Sequence, residues 1–326
     1  PYHSFMLVDS VAIIAGFILL IWSADRFITG AAATARNLDV PPLIIGLTII
    51  GFGTSAPEMM VAGFAAYDGS PGLAVGNALG SNITNITLVL GVAALVAPLD
   101  VHSRILRKEL PILLAVSLMA MALIYDTTLS RFDGFVLLSL LIILMWWFIR
   151  QDIRNNQDDA LKAEYIEELP EDMPMTRAAF WLLVGLIVLT VSSKLLVWGA
   201  VNIATALGVD ELIIGLTIIA IGTSLPELAA SITSALKNEH DLAIGNAVGS
   251  NLFNTLGVLA IPGIIHPSVL DEYVLKRDMP VVLGLTIVLF IMAYGFRGPG
   301  RINRVEGTIL LGCFIAYGCL LFFTAI

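Results

Sequence analysis

Two glutamates stand inside long apolar stretches of this sequence, and each directly follows a proline. Glu58 ends the run Gly-Thr-Ser-Ala-Pro-Glu, and Glu227 ends the run Gly-Thr-Ser-Leu-Pro-Glu, 169 residues later. A charged side chain at the centre of a bilayer costs about 3 kcal/mol even on the milder insertion scales, so such residues are usually functional. No lysine or arginine lies near either glutamate in the sequence. We therefore expect a bound cation to neutralise them, and two protonated glutamates hydrogen-bonded in a core are the alternative.

Oxygen donors precede both glutamates. Each proline lacks an N–H, and its ring clashes with the carbonyl four residues earlier, which partly frees the backbone oxygens of the preceding turn. A free carbonyl in lipid needs a partner, and a cation is one candidate. The alternative interpretation of the glycine and proline pattern is a simple helix kink. The neighbouring hydroxyls belong to Thr54, Ser55, Thr223 and Ser224.

A second repeated motif supplies a polar face for each glutamate. Gly-Asn-Ala-Leu-Gly-Ser-Asn-Ile-Thr-Asn occupies positions 76–85 and returns with three changes at 245–254. On a helix its first asparagine, its serine and its last asparagine share one face, and its glycines form a stripe that lets another helix approach closely. We expect this face to help bind the cation, while interhelical hydrogen bonding is the alternative, above all for Asn82 and Asn251. The face comprises Asn77, Ser81 and Asn85, then Asn246, Ser250 and Asn254.

These groups together predict a site of hard oxygen ligands. Carboxylate, hydroxyl, amide and carbonyl oxygens, without nitrogen or sulfur, select Ca²⁺ or Na⁺ over Zn²⁺ or Cu²⁺. Two carboxylates balance one Ca²⁺ or two Na⁺, so the two ions would compete for the same oxygens. An empty site would leave two buried charges without a counter-ion, so an empty carrier should struggle to close over the site. Movement of one ion would therefore be coupled to movement of the other. Ca²⁺ and Na⁺ are then transported ions, and no prosthetic group is expected.

The composition indicates an all-α polytopic membrane protein. Of the 326 residues 58% are hydrophobic and only 13% are charged, far below the usual quarter of a soluble protein. No basic stripe is present that would bind nucleic acid. Cys313 and Cys319 lack metal-site spacing, and the four histidines do not cluster, which disfavours zinc. Ten apolar runs are long enough to span a bilayer, at 6–36, 42–66, 72–97, 106–125, 132–149, 178–204, 211–236, 241–264, 277–296 and 304–325.

The repetition predicts the architecture. It extends beyond the two motifs over both halves, so we assign one five-helix repeat to residues 1–149, a linker to 150–177, and a second repeat to 178–326. A unit with an odd number of spans ends on the side opposite its start, so the second copy must be inverted. Inverted repeats with broken helices at their centre are typical of secondary transporters that bind substrate between the repeats.

The Lys/Arg bias of the loops predicts the orientation. With the N-terminus outside, 13 of the 17 basic residues fall on the inner side, so both termini should lie outside and the linker in the cytoplasm. The linker holds eight acidic and four basic residues but no EF-hand loop, so we interpret it as a solvated connector. Asp25 aligns with Lys194 across the repeats. The two could form a gate pair, although exposed helix-end charges are the simpler interpretation.

The doubled motif closely resembles the two alpha repeats of the sodium/calcium exchangers, within the calcium:cation antiporter superfamily, and the resemblance covers essentially the whole chain. It implies ten helices and alternating access, with the first and sixth helices sliding past an ion-binding bundle, in the compact form of the prokaryotic inner membrane. Several relatives carry aspartate at one of the positions held here by Asn85 and Asn254. The implied ligands are Thr54, Ser55, Glu58, Ser81, Asn85, Thr223, Ser224, Glu227, Ser250 and Asn254, with carbonyls at Gly51 and Ala220.

Four functions remain open at this stage. The first is a Ca²⁺ antiporter driven by Na⁺, and the second is the same architecture driven by protons. The third is an intramembrane hydrolase using Ser55 or Ser224, which lacks a histidine or lysine base within the motifs; we therefore expect no enzyme. The fourth is a passive cation channel, which inverted repeats with broken helices fit less well than a carrier. We expect a monomer in the lipid bilayer.

Overall fold

A computed structural model describes residues 2–38, 51–101, 106–154, 173–236, 240–294 and 300–325, and they are almost entirely helical. The first half contains α1 (Tyr2–Asn37), α2 (Gly51–Thr54), α3 (Ala56–Tyr67), α4 (Pro71–Thr84), α5 (Leu90–Val96), α6 (Leu106–Leu123) and α7 (Arg131–Arg154). The second half contains α8 (Met175–Leu207), α9 (Glu211–Ile214), α10 (Ala220–Thr223), α11 (Leu225–Leu236), α12 (His240–Phe253), α13 (Ala260–Ile265), α14 (Met279–Tyr294) and α15 (Arg304–Ala325).

Several of these helices continue into one another through π-helical turns. Asn85–Val89 joins α4 to α5, Gly215–Ile219 joins α9 to α10, Asn254–Val258 lies between α12 and α13, and Val274–Asp278 leads into α14. Within the described residues, six helices are long and apolar enough to cross a membrane, or seven if the bent pair Glu211–Thr223 and Leu225–Leu236 forms one span. The prediction of an all-α polytopic membrane protein is therefore confirmed. The count of ten spans stays a prediction, and the first part of the second predicted span, like most of the linker, lies outside the described residues.

The first helices of the two halves run antiparallel along each other. Near one end a Cβ atom on Gly30 would lie 2.3 Å from the backbone nitrogen of Leu182, and further along one on Gly16 would lie 3.1 Å from the Cβ of Leu196. As positions increase along α1 they therefore decrease along α8. The two helices occupy equivalent places in the repeated sequence, so their opposite directions show that the halves are inverted.

Two short ribbons join the halves. Strand β1 (Leu99–Val101) pairs antiparallel with β4 (Gly300–Ile302), and β2 (Thr128–Leu129) pairs antiparallel with β3 (Ser268–Val269). In the predicted ten-span alternation the first ribbon joins two inner loops and the second joins two outer loops. Each pairing therefore links segments that the prediction places on the same side of the membrane.

This topology makes a labelling prediction. In a variant with Cys313 and Cys319 replaced by serine, a membrane-impermeant thiol reagent applied outside intact cells should label Val269→Cys but not Arg304→Cys. Both positions are exposed, so only the side of the membrane should distinguish them. Arg304→Cys should be labelled after the cells are opened. Equal labelling of both positions in intact cells would contradict the predicted orientation.

Candidate ion-binding site

Both motif helices break at the motif serine. In the first half, α2 ends at Thr54, Ser55 adopts φ −88° and ψ 2°, and α3 begins at the next residue. In the second half, Ser224 adopts φ −85° and ψ 3° between α10 and α11, and the axis bends there by 42°. Each glutamate consequently lies in the first turn of a helix. The N-terminal end of a helix dipole favours a negative charge at this place.

Glycines bring the second motif of one half against the broken helix of the other. A Cβ atom on Gly76 would lie 2.4 Å from the carbonyl oxygen of Leu212, and one on Gly215 would lie 2.5 Å from that of Leu73. Only glycine permits this approach of two backbones. The predicted stripe is thus confirmed for α4. Residues 39–50, where the equivalent partner of α12 would fall, lie outside the described part of the chain, so the second stripe stays a prediction.

The polar side chains predicted for the site are buried together. Glu58 and Glu227 are both 0% exposed. The hydroxyls and amides predicted as ligands are also buried, namely Thr54, Ser55, Ser81, Asn85, Thr223, Ser224, Ser250 and Asn254. Burying this many polar groups without hydrogen-bond or ion partners would cost free energy.

Two symmetric contacts join the halves at this place. The hydroxyl oxygens of Thr54 and Ser250 lie 3.4 Å apart, and those of Ser81 and Thr223 lie 3.4 Å apart. Thr54 is the repeat equivalent of Thr223, and Ser81 is the repeat equivalent of Ser250. The two contacts are therefore equivalent under the repeat symmetry. Ser250 also donates from Oγ to Glu227 Oε1 over 3.2 Å. Each of the two contacts therefore joins the first motif of one half to the second motif of the other.

The first asparagine of the second motif supports the glutamate backbone. Asn77 Nδ2 donates to the carbonyl oxygen of Glu58 over 3.0 Å, and Thr223 Oγ1 donates to Asn77 Oδ1 over 3.1 Å. In the other half, Asn246 Nδ2 lies 3.4 Å from the carbonyl oxygen of Glu227. Asn77 and Asn246 thus position the turn that carries the glutamate. Both ends of the Asn77 amide bond to the protein, and in Asn246 the nitrogen does so.

Other polar atoms of the cluster have no hydrogen-bond partner among the described residues. Buried polar atoms in this condition are rare in folded proteins, and each one needs an explanation such as an ion. Most are oxygens, which fits the hard-cation donor set predicted from the sequence. They are Ser55 Oγ, both carboxylate oxygens of Glu58, Asn82 Oδ1, Asn85 Oδ1, Ser224 Oγ, Glu227 Oε2, and both amide atoms of Asn254.

The two predicted carbonyl ligands are less well supported. The carbonyl oxygen of Ala220 accepts the N–H of Ser224 over 3.1 Å and lies 3.4 Å from Thr223 Oγ1. It is therefore not left free in this conformation, although the proline pattern suggested that it would be. Gly51 is the first residue of α2. Both assignments stay predictions.

Asp25 and Lys194, for which a gate pair is the less favoured interpretation, show no ion pair with each other among the described residues. The side chain of Asp25 is 67% exposed and lies 3.8 Å from Arg26, while Lys194 is exposed on α8. Both are exposed, as the simpler interpretation of helix-end charges expects, but each lies well inside its helix and not at an end. Within the described residues no group of three or more acidic, histidine or cysteine side chains is placed to hold a metal. A site with two carboxylates, as the asparagines at 85 and 254 suggest, stays a prediction.

The sequence did not indicate the π turns or the amide network beside them. Asn85 and Asn254 each begin a π turn, a rare element that is frequent at functional sites. Asn82 Nδ2 donates to Thr255 Oγ1 over 2.8 Å, and Asn251 Nδ2 donates to the carbonyl oxygen of Asn82 over 3.2 Å. The alternative prediction of interhelical hydrogen bonding is therefore confirmed for Asn82 and Asn251.

Comparison with known proteins identifies the family to which the chain belongs. Residues 9–150 and 177–323 match the sequence model of a protein family, and the description of that family is sodium/calcium exchanger protein. The chain is 49% identical to the putative antiporter CaxA of Alkalimonas amylolytica, covering 97% of this chain and 99% of that protein. It is 40% identical to the inner membrane protein YrbG of Escherichia coli, covering 97% and 98%.

Among solved structures, the chain resembles the sodium-calcium exchanger NCX_Mj. The TM-score is 0.65 at 31% identity, over 95% of this chain and 97% of the other. The match extends over the inverted halves and both copies of the motif. This chain belongs to the sodium/calcium exchanger protein family and has the antiporter fold of that family.

Proposed function

We propose that this protein exchanges Ca²⁺ for Na⁺ across the inner membrane at one central site between its inverted halves. The observation that carries the proposal is the set of buried, unpartnered oxygens contributed by both halves, with Glu58 and Glu227 among them. One Ca²⁺ or two Na⁺ would neutralise this pair of carboxylates. Either load would supply the missing partners of the hydroxyl and amide oxygens.

Antiport follows from the cost of the empty site. Two carboxylates that are 0% exposed and bring no cationic side chain of their own are expensive to enclose in a low-dielectric interior. A carrier without an ion should therefore change its accessible side rarely, while a carrier loaded with either ion should do so readily. This difference couples the movement of one ion to the return of the other. A channel would have no such requirement.

Helix α1 lies against both of the places where the motif helices break. A Cβ atom on Gly53 would lie 2.4 Å from Ile28 Cγ1, and one on Gly222 would lie 1.7 Å from the ring of Phe17. Both partners belong to α1, so this one helix passes directly beside the glycine before each broken turn. We infer that α1, moving with α8, closes one side of the site and opens the other, as the resemblance implies.

Counterflow with a single driving ion tests the proposal. In proteoliposomes loaded with Na⁺, the purified protein should accumulate ⁴⁵Ca²⁺ when the outside is free of Na⁺, and loading with K⁺ alone should give only background uptake. Dissipating the Na⁺ gradient with an ionophore should abolish the uptake. Accumulation that is unaffected by removing Na⁺ from the lumen would contradict Na⁺ coupling.

Proton coupling is the second candidate, and one observation favours it. Neither carboxylate oxygen of Glu58 has a hydrogen-bond partner among the described residues, so each glutamate could take up a proton in place of Na⁺. Two protons would cancel the same charge as one Ca²⁺. Uptake of ⁴⁵Ca²⁺ driven by an acidic lumen in the complete absence of Na⁺ would identify this mechanism at the same site.

A further inference from the structure

The last asparagines of the two motifs occupy equivalent positions but have different surroundings. Asn85 Nδ2 donates to Asn251 Oδ1 over 3.1 Å, whereas Asn85 Oδ1 has no hydrogen-bond partner in the part of the chain that the structure describes. Neither the nitrogen nor the oxygen of the Asn254 amide has a partner within the described residues. Both side chains are 0% exposed. One amide is therefore fixed by the protein, and the other is not.

A single sequence difference accounts for this asymmetry. In the second half the residue after Asn254 is Thr255, and its hydroxyl accepts the Asn82 amide N–H over 2.8 Å. The equivalent residue after Asn85 is Ile86, which has no hydroxyl to offer Asn251. Asn251 Nδ2 instead donates to the backbone carbonyl of Asn82 over 3.2 Å. This bond turns Asn251 Oδ1 toward Asn85.

The geometry has a chemical consequence for cation binding. A side-chain amide carries an acceptor on its oxygen and two donor hydrogens on its nitrogen, so only one of its two ends can ligate a cation. If the Asn85 amide were reversed, its nitrogen would face the site and repel the ion. The bond from Asn85 Nδ2 to Asn251 prevents this reversal and leaves Asn85 Oδ1 without a partner of its own.

We propose that Asn251 is a positioning residue for the ion site, which fixes the Asn85 amide with its oxygen toward the cation. Asn254, whose two amide atoms have no hydrogen-bond partner among the described residues, supplies the adaptable amide of the pair. This inference rests on the proposed function, because it takes Asn85 as a ligand. It goes further by assigning a role to Asn251, which lies outside the set of ligands, and by making the two halves of a symmetric site unequal.

Equilibrium Ca²⁺ binding to the purified full-length protein tests the inference directly. Loss of an outer partner that orients a metal ligand typically lowers affinity about 10- to 100-fold, so Asn251→Ala should raise the Kd for ⁴⁵Ca²⁺ by about this factor. In transport assays it should raise the KM for Ca²⁺ more than it lowers the maximal rate. A purely structural role would instead reduce the amount of folded protein and leave the Kd of the remainder unchanged.

A double-mutant cycle with Asn85→Ala separates positioning from an independent effect. If Asn251 acts through Asn85, the double variant should bind Ca²⁺ no more weakly than Asn85→Ala alone. Losses that multiply in the double variant would overturn the positioning role and leave the proposed function intact. An unchanged Kd in Asn85→Ala would also overturn the positioning role, because Asn85 would then not be a ligand, whereas the proposed exchange would still be tested by Glu58→Gln and Glu227→Gln.

Thr255→Val provides the matched control. It removes the hydroxyl that accepts from Asn82 with almost no change in shape, and so breaks a hydrogen bond of the same network without touching the contact between Asn85 and Asn251. We expect its Kd for Ca²⁺ to stay within about threefold of the original protein. A loss as large as that of Asn251→Ala would mean that the whole network, and not the orientation of Asn85, determines affinity.

Discussion

Glu58→Gln and Glu227→Gln are each expected to abolish Na⁺-driven ⁴⁵Ca²⁺ uptake. Glutamine has nearly the same shape as glutamate but no charge, so each variant leaves one carboxylate to balance a divalent ion. Removing one partner of a buried, charge-paired group typically costs about 3–5 kcal/mol. At about 1.4 kcal/mol per factor of ten, this corresponds to a loss of at least about 100-fold in Ca²⁺ affinity, which places the flux at background.

The measurement is initial ⁴⁵Ca²⁺ uptake into proteoliposomes with matched amounts of reconstituted protein. Glu272→Gln is the control, since it removes the same charge from a side chain that is 73% exposed and pairs with Lys276. Its uptake should match the original protein. Retained uptake in both site variants would refute the site, and retained uptake in only one would show that a single carboxylate suffices.

Gly76→Ala is expected to give the second largest effect, on both stability and transport. The added Cβ would lie 2.4 Å from the carbonyl oxygen of Leu212 and 2.9 Å from the backbone nitrogen of Leu216. These are backbone atoms, so no side chain can turn away and the helices must separate. Overpacking of this kind costs about 1–3 kcal/mol. The separation would also pull Asn77 and Ser81 away from Thr223 and so weaken the site.

The thermal midpoint of the purified protein and its ⁴⁵Ca²⁺ uptake both report this change. Gly318→Ala is the matched control, because Gly318 is exposed on α15 and a Cβ there would meet nothing within 4 Å. It should keep uptake and leave the midpoint unchanged or slightly raised, since alanine favours helix over glycine. Full activity and stability of Gly76→Ala would show that the close crossing of α4 with the broken helix is not required.

Repetition explains why so much of this fold could be predicted. Glu58 and Glu227 recur at one spacing within equivalent sequence, so a role that would be a weak hypothesis for either residue alone becomes a strong one for the pair. The odd number of apolar runs per half then predicts inversion, and α1 and α8 confirm it by running antiparallel. The side of the membrane on which each loop lies stays a prediction. The same holds for the carbonyl ligands at Gly51 and Ala220.

The contacts between the halves could not be read from local patterns. A helical face predicts that Asn77, Ser81 and Asn85 point the same way, but not that Asn77 would hold the backbone of Glu58 while Asn85 is held by Asn251. Side-chain amides have both donor and acceptor ends, so their partners depend on which helix lies opposite. The π turns at Asn85 and Asn254 likewise need the packed neighbours to stabilise a geometry that an isolated helix does not favour.

The sequence alone predicted the type of chemistry, because burying two carboxylates in lipid is so costly that a bound cation is the favoured explanation of their presence. It also determined the inverted plan, since the direction of each half follows from counting spans. Only the tertiary structure decided which oxygens remain without a partner and which are used by the protein itself. That division depends on distances of a few tenths of an ångström between helices that are far apart in the chain, and no local pattern encodes them.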